Sequence, residues 1–433
     1  MEKLIGIIAD DLTGANDSGV QLTEKGISTS VLFDLTDQAQ TLDSGIVIDT
    51  NARALLQQEA YEKTTEAARF LKEAGYQTIY KKMDSTLRGH IGTELKAVKD
   101  VFQPEFLFIT PAFPALHRTT LDGIHYIKGQ PLSETEISKD PKHPVTESSI
   151  PLLIEQEIGV AAGLLRKAEL TTEEAFIEKV QTFKQQGIDY LVCDAETEED
   201  LKLFSAWMNR FSSNVIWAGS AGLAEVLPDI LAFHHAPSLR KIEPAEQIVT
   251  VCGSLSEVTQ QQVLYAAGRS DVEGIEVDTL EIFSSNWKQR EADYLKKCEE
   301  ALSRQKHIAI FVPSNPQIRA DVKTRGQELG LSSYEIGERI STALGTMVQT
   351  LYHSCQHLNS FVLTGGDTAK ETAKLLGGNG IRLIKQIEAG IPAGELIGTE
   401  KPVTVVTKAG AFGDEHSIYR AMCQLKGAAI YEQ

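Results

Sequence analysis

The sequence predicts an α/β protein of two domains, each built on a largely parallel sheet covered by helices. Three observations carry that expectation. Short apolar runs rich in β-branched residues alternate with helical stretches almost throughout, the pattern of parallel strands buried on both faces. The stretch HHAPSLRKIEPAEQ, residues 234–247, combines two prolines with charges and precedes a fresh strand. A chain of 433 residues divides there into parts of roughly 240 and 190 residues, each of ordinary domain size. The boundaries are set at 1–236 and 248–433, with 237–247 as the linker.

Taken in order, the first strands are LIGIIA, STSVLF, GIVID, TIYKKM and FLFIT. Between the third and fourth, Leu55 to Ala74 reads as a helix that closes on Gly75, a helix-stop residue. From Pro111 to Pro151 the chain is rich in Pro, Thr, Ser and Gly without a clean period, and is expected to be a long functional loop or lid. Strands resume with IDYLVCD and VIWAG. The second half contributes IVTVCGS, IEVD, HIAIFV, SFVLTGG and VTVVTKAG. There is no repeat of solenoid period and no low-complexity segment.

Composition narrows the function. Hydrophobic and charged fractions of 42% and 24% are those of an ordinary soluble protein. A formal net charge of −18 disfavours nucleic acid or an anionic membrane as the main partner. It leaves room for an anionic small ligand, because local amides and a few cations can override the global field. LIGIIA is too short for a signal sequence and ends in Asp10, and no stretch is long enough to span a bilayer. The five cysteines, Cys193, Cys252, Cys298, Cys355 and Cys423, are scattered and lack CxxC spacing, as expected of reduced core thiols in a cytoplasmic protein.

Open parallel sheets bind ligands at the carboxyl ends of their strands. The first strand delivers Asp10, Asp11, Thr13, Gly14, Asn16 and Asp17, and the third is followed by Asn51 and Arg53. TIYKKM leads into Lys81, Lys82, Asp84, Ser85, Thr86 and Arg88. FLFIT delivers Thr110, followed by Phe113, His117, Arg118, Thr119 and Thr120. Mixed carboxylates and cations suit a small polyhydroxylated acid: Arg and Lys hold its carboxylate, and Asp accepts from its hydroxyls. Capping of the helix near Gly14 accounts for one such side chain, but not for the Asp10–Asp11 pair together with KKMDSTLR.

The second half offers glycine-rich strand-to-helix loops instead. Gly253 and Ser254 lead to a cap at Ser256; Thr364, Gly365, Gly366 and Asp367 form another loop; Lys408, Gly410 and Gly413 lie in a third. Glycine lets backbone approach a phosphate, and helix N-terminal amides point at it. Tight turns also require Gly, but three such loops in one domain favour a nucleotide. G-x-x-x-x-G-K-[ST] and G-x-G-x-x-G are both absent, which argues against a Walker-type loop and weakens a dinucleotide reading. In HSCQH, His353 and His357 have zinc-like spacing, but the run is expected on a helix with Val348, Leu351 and Cys355 in its apolar stripe. It and His234-His235 in the linker read as ordinary surface.

Taken together, IADDLTGANDSGVQ, KKMDSTLRGHIGTEL, PAFPALHRTTLDG, VCGSLSEVTQQQ, LTGGDTA and GIPAGELIG with VTKAGAFGDEHSI resemble the four-carbon acid sugar kinase family, in order, from Ile5 to about Ser417. The resemblance implies an N-terminal sugar-acid domain and a C-terminal ATP domain joined across a ligand cleft, with the γ-phosphoryl passing to the terminal hydroxyl of a four-carbon acid. It implies substrate contacts at Asp11, with Asp10 beside it, and at Arg53, Lys82, Asp84 and Ser85; Arg88 closes the same run. Asp11 or Asp10 is the expected base. Nucleotide contacts are implied at Ser254, at Thr364, Gly365, Gly366 and Asp367, and at Gly410, with Gly413 in the same loop.

ATP and Mg2+ are the implied cofactors, with no dedicated protein metal site, and a homodimer is the implied assembly. The GANDSGVQ form is closer to D-threonate and D-erythronate kinases than to 3-oxo-tetronate kinases. One departure is His117, where relatives commonly carry Gly. Two other classes fit parts of the pattern: a non-catalytic sugar-acid sensor and a dehydrogenase of the same acids. The missing export signal and missing dinucleotide fingerprint count against them.

Overall fold

The structure, a computed structural model, describes residues 2–35, 42–139, 144–233 and 241–427. His234, His235 and residues 237–240 of the expected linker lie outside them. The chain forms two compact units, Met1–Ser238 and Leu239–Gln433.

The first unit runs β1 (Ile5–Ala9), α1 (Leu12–Glu24), β2 (Thr29–Leu32), β3 (Gly45–Asp49), α2 (Gln57–Ala74), β4 (Thr78–Lys82), α3 (Ile91–Phe102) and β5 (Phe106–Thr110). It continues with β6 (Arg118–Leu121), β7 (Ile124–Ile127), β8 (Gln130–Pro131), α4 (Ile150–Ile158), β9 (Gly163–Leu165), α5 (Glu173–Gln185), β10 (Tyr190–Cys193), α6 (Glu198–Phe211), β11 (Val215–Gly219) and α7 (Ala221–Ile230). Eight strands make one parallel sheet in the order β2-β3-β1-β4-β11-β5-β10-β9. Every residue of β1 is buried, as a strand covered on both faces requires. Alternate residues such as Ile46 and Ile48, or Leu107 and Ile109, join one core with Ala67, Leu71, Leu95, Val98 and Ile154 from α2, α3 and α4. Helices α1 and α7 pack on each other and against β3 and β11.

This order positions the site. From β1 the chain moves to one side, to β2 and β3; with β4 it begins to fill the other. β1 and β4 therefore flank the topological switch point, where a crevice opens beyond the strand ends. Asp10 and Asp11 follow β1, and Lys82 to Asp84 follow β4.

The second unit runs β12 (Val249–Cys252), α8 (Glu257–Ala267), β13 (Val272–Glu276), α9 (Thr279–Ile282), α10 (Trp287–Ser303), β14 (His307–Phe311), α11 (Pro316–Glu328), α12 (Ser333–Ser354), β15 (Ser360–Thr364), α13 (Gly366–Leu375), β16 (Gly380–Glu388), β17 (Ile391–Ile397), β18 (Thr404–Lys408) and α14 (Ser417–Leu425). Its strands follow the order β13-β14-β12-β15-β18-β17-β16, parallel through β18 and antiparallel across β17 and β16. The switch point here lies between β12 and β15, the strands that carry Ser254 and Thr364 to Asp367 beyond their ends. Ala245 and Gln247 are buried, and Ala245 N donates to Leu425 O.

The α/β expectation holds in both units. Three local readings differ. The stretch from Pro111 to Pro151 is not one irregular loop: β6, β7 and β8 form a small antiparallel sheet, and α4 starts at Ile150. Its two turns place Asp122-Gly123 and Lys128-Gly129 at positive φ, the geometry that suits a twisted two-residue hairpin. The Asp194 carboxylate accepts from the amides of Asp122 and Gly123, both at 2.9 Å, and so holds the first turn. The second difference is HSCQH: α12 ends at Ser354 with Cys355 as its C-cap, so His357 is off the helix. Third, β16 and β17 form a hairpin that turns at Gly390 with φ 73°, between the expected strands SFVLTGG and VTVVTKAG.

Candidate active site

Asp11 is the N-cap of α1; its Oδ1 accepts from Gly14 N at 2.8 Å. Capping thus describes one half of that carboxylate, and the other half faces Arg53 Nη1 at 2.9 Å. Arg53 sits in a single 3-10 turn, Ala52–Ala54, after Asn51 in the left-handed region (φ 50°). Its Nε donates to Asp10 Oδ2 at 2.7 Å, and its Nη2 stands 4.0 Å from Asp84 Oδ1. One guanidinium therefore faces three carboxylates drawn from two strand ends.

The electrostatics separate those carboxylates. Burial alone would raise all three. At Asp10, Arg53 with Lys81 and Lys82 outweighs burial and holds the carboxyl below its ordinary value. At Asp84, Arg53 and Arg88 outweigh it further and keep the group well below the carboxylate range. At Asp11 burial wins over Arg53, with the charge of Asp10 in support, and the carboxyl is raised. Asp17, one turn along α1, is pushed up to about 6 chiefly by burial. Of the three carboxylates facing Arg53, Asp11 is thus the one whose surroundings favour taking a proton.

The loop after β4 is tied down from several sides. Arg88 Nε and Thr86 Oγ1 each donate to Asp84 Oδ2 at 2.6 Å. Lys82 Nζ donates to Met83 O at 2.8 Å, and a Cβ added at Gly14 would lie 2.9 Å from that Nζ. Ser85 Oγ accepts from Arg118 Nη1, and Ser85 O is bonded to the His125 ring at 2.9 Å. Burial pushes His125 down to about 4, so the ring is neutral at pH 7. Beneath the site, Lys81 and Glu94 form a fully buried pair at 2.8 Å. Asp10, Asp11, Arg53, Asp84 and Arg88 thus form one ionic web, with Lys82 against Asp11's cap and Ser85 fastened to the β6–β7 hairpin.

In the second unit the three glycine loops converge. A Cβ on Gly365 (φ 90°) would lie 3.4 Å from Ser254 N, and one on Gly410 would collide with Ser254 Oγ. Ser254 therefore packs against both glycines: Gly410 has no room for a side chain, and Gly365 holds a positive φ that favours glycine. Gly366 and Asp367 open the first turn of α13, whose N-cap is Gly365, and Thr364 is buried at the end of β15. Gly413 is placed differently: it packs against Ser417 and Gln262 at the far end of its loop.

The sequence places Lys408 in its glycine loop without giving it a role, and does not single out Gln260 or Gln262. Lys408 Nζ donates to Ala409 O at 2.7 Å, Phe412 O at 3.1 Å and Gly410 O at 3.3 Å, gathering the carbonyls of the glycine loop. Burial pushes it down to about 8. Gln260 Nε2 donates to Ser254 O and Gln262 Nε2 to Phe412 O, so α8 holds two of the loops. The available signal was a lysine at the end of an apolar strand, seen twice: Lys81 and Lys408. A charge in that position must either be paired or lead into a site.

Residues 5–227 match the family model described as a sugar-binding N-terminal domain, and residues 249–418 the one described as a nucleotide-binding C-terminal domain. The chain belongs to the four-carbon acid sugar kinase family. As a member of that family it is a kinase that phosphorylates a hydroxyl of a four-carbon acid sugar. Relatives of this kinase include the D-threonate kinase of Salmonella typhimurium, 30% identical over 96% of this chain and 97% of that one. The 3-oxo-tetronate kinase of Pseudomonas fluorescens is 28% identical over 98% and 97%. A crystal structure from Salmonella typhimurium, solved under the provisional description of a tRNA synthase, is 26% identical with a TM-score of 0.80 and covers 96% and 98% of the two chains. That description stays with the neighbour, since both family models and the named relatives place this chain among the sugar-acid kinases.

Proposed function

We propose that this kinase transfers the γ-phosphoryl group of ATP to the terminal, 4-hydroxyl of D-threonate. The observation that carries the reading is the cluster of Asp10, Asp11 and Asp84 around Arg53 at the switch point of the first unit. Two of these carboxylates are held ionised to accept from hydroxyls, and the third is inclined to take a proton. D-erythronate and the 3-oxo acid are the neighbouring alternatives; the GANDSGVQ motif favours the first two acids.

Phosphoryl transfer asks for positioning, charge neutralisation and an oriented nucleophile. In this reading Lys82 contacts the acid's carboxylate, and Arg53 aligns the aspartates while its outer N–H groups reach the substrate. Asp84 and Ser85 fix hydroxyls. Asp11 takes the proton from the 4-hydroxyl as that oxygen bonds to the γ-phosphorus and ADP departs. Ser254, the turn from Thr364 to Asp367 and Gly410 hold the nucleotide, with amides at the start of α13 directed at phosphate. Among the described residues no three His, Cys, Asp or Glu side chains come together to hold a metal. Magnesium is commonly bound by one or two carboxylates together with phosphates and water, so it would enter with the nucleotide.

The test is ADP release measured on purified protein with D-threonate, D-erythronate and the 3-oxo acid as acceptors. The reading expects the highest kcat/KM for D-threonate. Absence of ADP formation with every tetronate would overturn it.

A further inference from the structure

In the first unit most cations are neutralised by the protein itself. Arg53 faces three carboxylates, Arg88 is 2.6 Å from Asp84, and Lys81 is 2.8 Å from Glu94. Arg118, like Lys82, is different. Its Nη1 donates to the neutral hydroxyl of Ser85, and among the described residues it forms no ion pair. It is half-buried. Burial, aided by the like charge of Arg88, outweighs Asp84 and Asp17 and lowers its pKa. A cation taken out of water with no carboxylate in direct contact gains most from an anionic ligand.

The guanidinium is also held in place before any ligand arrives. Arg118 heads β6 and exchanges two backbone hydrogen bonds with Phe113. The hairpin behind it is fixed by Asp194 on the Asp122-Gly123 turn and by His125, whose ring spans Ser85 O and Thr120 Oγ1. Ser85 Oγ accepts from Arg118, so its own O–H proton remains available for a ligand oxygen.

We propose that Arg118 is a specificity-determining residue that binds the carboxylate of the sugar acid together with Lys82, with Ser85 donating to a neighbouring hydroxyl oxygen. The hairpin thereby becomes the part of the first unit that distinguishes an acid from the corresponding neutral polyol. The inference rests on the reading that the first unit takes a four-carbon sugar acid.

Calorimetric titration of the intact protein with D-threonate and with threitol, in which a neutral hydroxymethyl group replaces the carboxylate, tests this without requiring turnover. Arg118→Gln is expected to raise the Kd for D-threonate by roughly 10- to 100-fold, the range of a charge-assisted hydrogen bond. Threitol binding and the KM for ATP should stay within about threefold of wild type, and Arg118→Lys should recover part of the loss. An unchanged Kd for D-threonate, equal weakening of acid and polyol, or a change confined to ATP would overturn the assignment. If D-threonate binds in an Arg118-dependent way and no ADP forms, the kinase reading fails and this inference stands. If no tetronate binds the wild-type protein, both fail.

Discussion

Arg53 Nε donates to Asp10 Oδ2 at 2.7 Å across 43 residues of chain, joining the end of β1 to the turn after β3. The Asp10 side chain is only 2% exposed. Its charge is tolerable there because the guanidinium lies against it and Lys81 and Lys82 are near. Replacing Arg53 by Met would leave Asp10, Asp11 and Asp84 without their shared cation. The expected cost at pH 7 is about 3–5 kcal/mol, as for breaking other buried pairs, measured by urea denaturation. Adding Asp10→Asn to that variant should recover part of it, because one of the stranded charges is removed.

Asp11 can be tested separately from the fold. Asn caps helices about as well as Asp, so Asp11→Asn should retain the bond from Gly14 N and stay within about 1 kcal/mol of wild type. Its kcat should nevertheless fall by roughly 10²–10⁴-fold, the range of a lost general base. In the wild type, kcat/KM should decline on the acid side with an apparent pKa above the ordinary carboxylate value of about 4, because burial raises Asp11. A variant with near-normal turnover would remove Asp11 from the chemistry.

Acid stability offers a check on two groups shifted in opposite directions, the half-buried Asp17 and the buried His125. Asp17, raised to about 6, binds its proton more tightly in the folded state, so its contribution improves as pH falls from 6 towards 4. His125, lowered to about 4, binds its proton less tightly when folded, so its contribution is lost as pH falls from about 6.5 to 4. The two offset each other in the wild type. Asp17→Asn should raise stability at pH 7.5, by on the order of 2 kcal/mol, and expose the His125 loss as a steep decline between pH 6.5 and 4. Thermal melts across that range measure both effects.

The glycine loops make a contrasting prediction. Gly410→Ala places a methyl group against Ser254 Oγ. Lys408→Met leaves the carbonyls of Ala409, Gly410 and Phe412 without their shared donor. Both changes should raise the KM for ATP at least tenfold and leave D-threonate binding near wild type. Lys408→Met should also cost about 1–3 kcal/mol of stability, the usual price of unpaired buried carbonyls.

His117 tests the hairpin entry. It adopts φ 54° and ψ 38°, the left-handed region that favours glycine. His117→Gly should therefore be neutral or stabilising by up to about 1 kcal/mol, with melting temperature as the readout.

The strands were legible because β-branched apolar runs have little alternative to a buried parallel sheet, and LIGII and FLFIT are cases in point. The β6–β8 sheet was missed because its strands are short and polar. Its real signal was Asp122-Gly123, a two-residue turn between TTL and IHY. At the site, adjacency exposed Asp10–Asp11 and the KKMDSTLR run. The triple role of Arg53 was not visible, because its partners lie more than 30 residues away along the chain. The same holds for Ser254, Gly365 and Gly410, which become neighbours only when β12, β15 and β18 align. Gly413 illustrates the converse: it is three residues from Gly410 in sequence yet packs against Ser417.

The most direct test is the site of phosphorylation. Phosphorus–proton correlation spectra of the product formed from D-threonate and ATP should show coupling to the C4 methylene protons, and Asp11→Asn should slow the appearance of that signal by roughly 10²–10⁴-fold. Phosphate attached at C2 or C3, or product formed at an undiminished rate by the variant, would contradict the account.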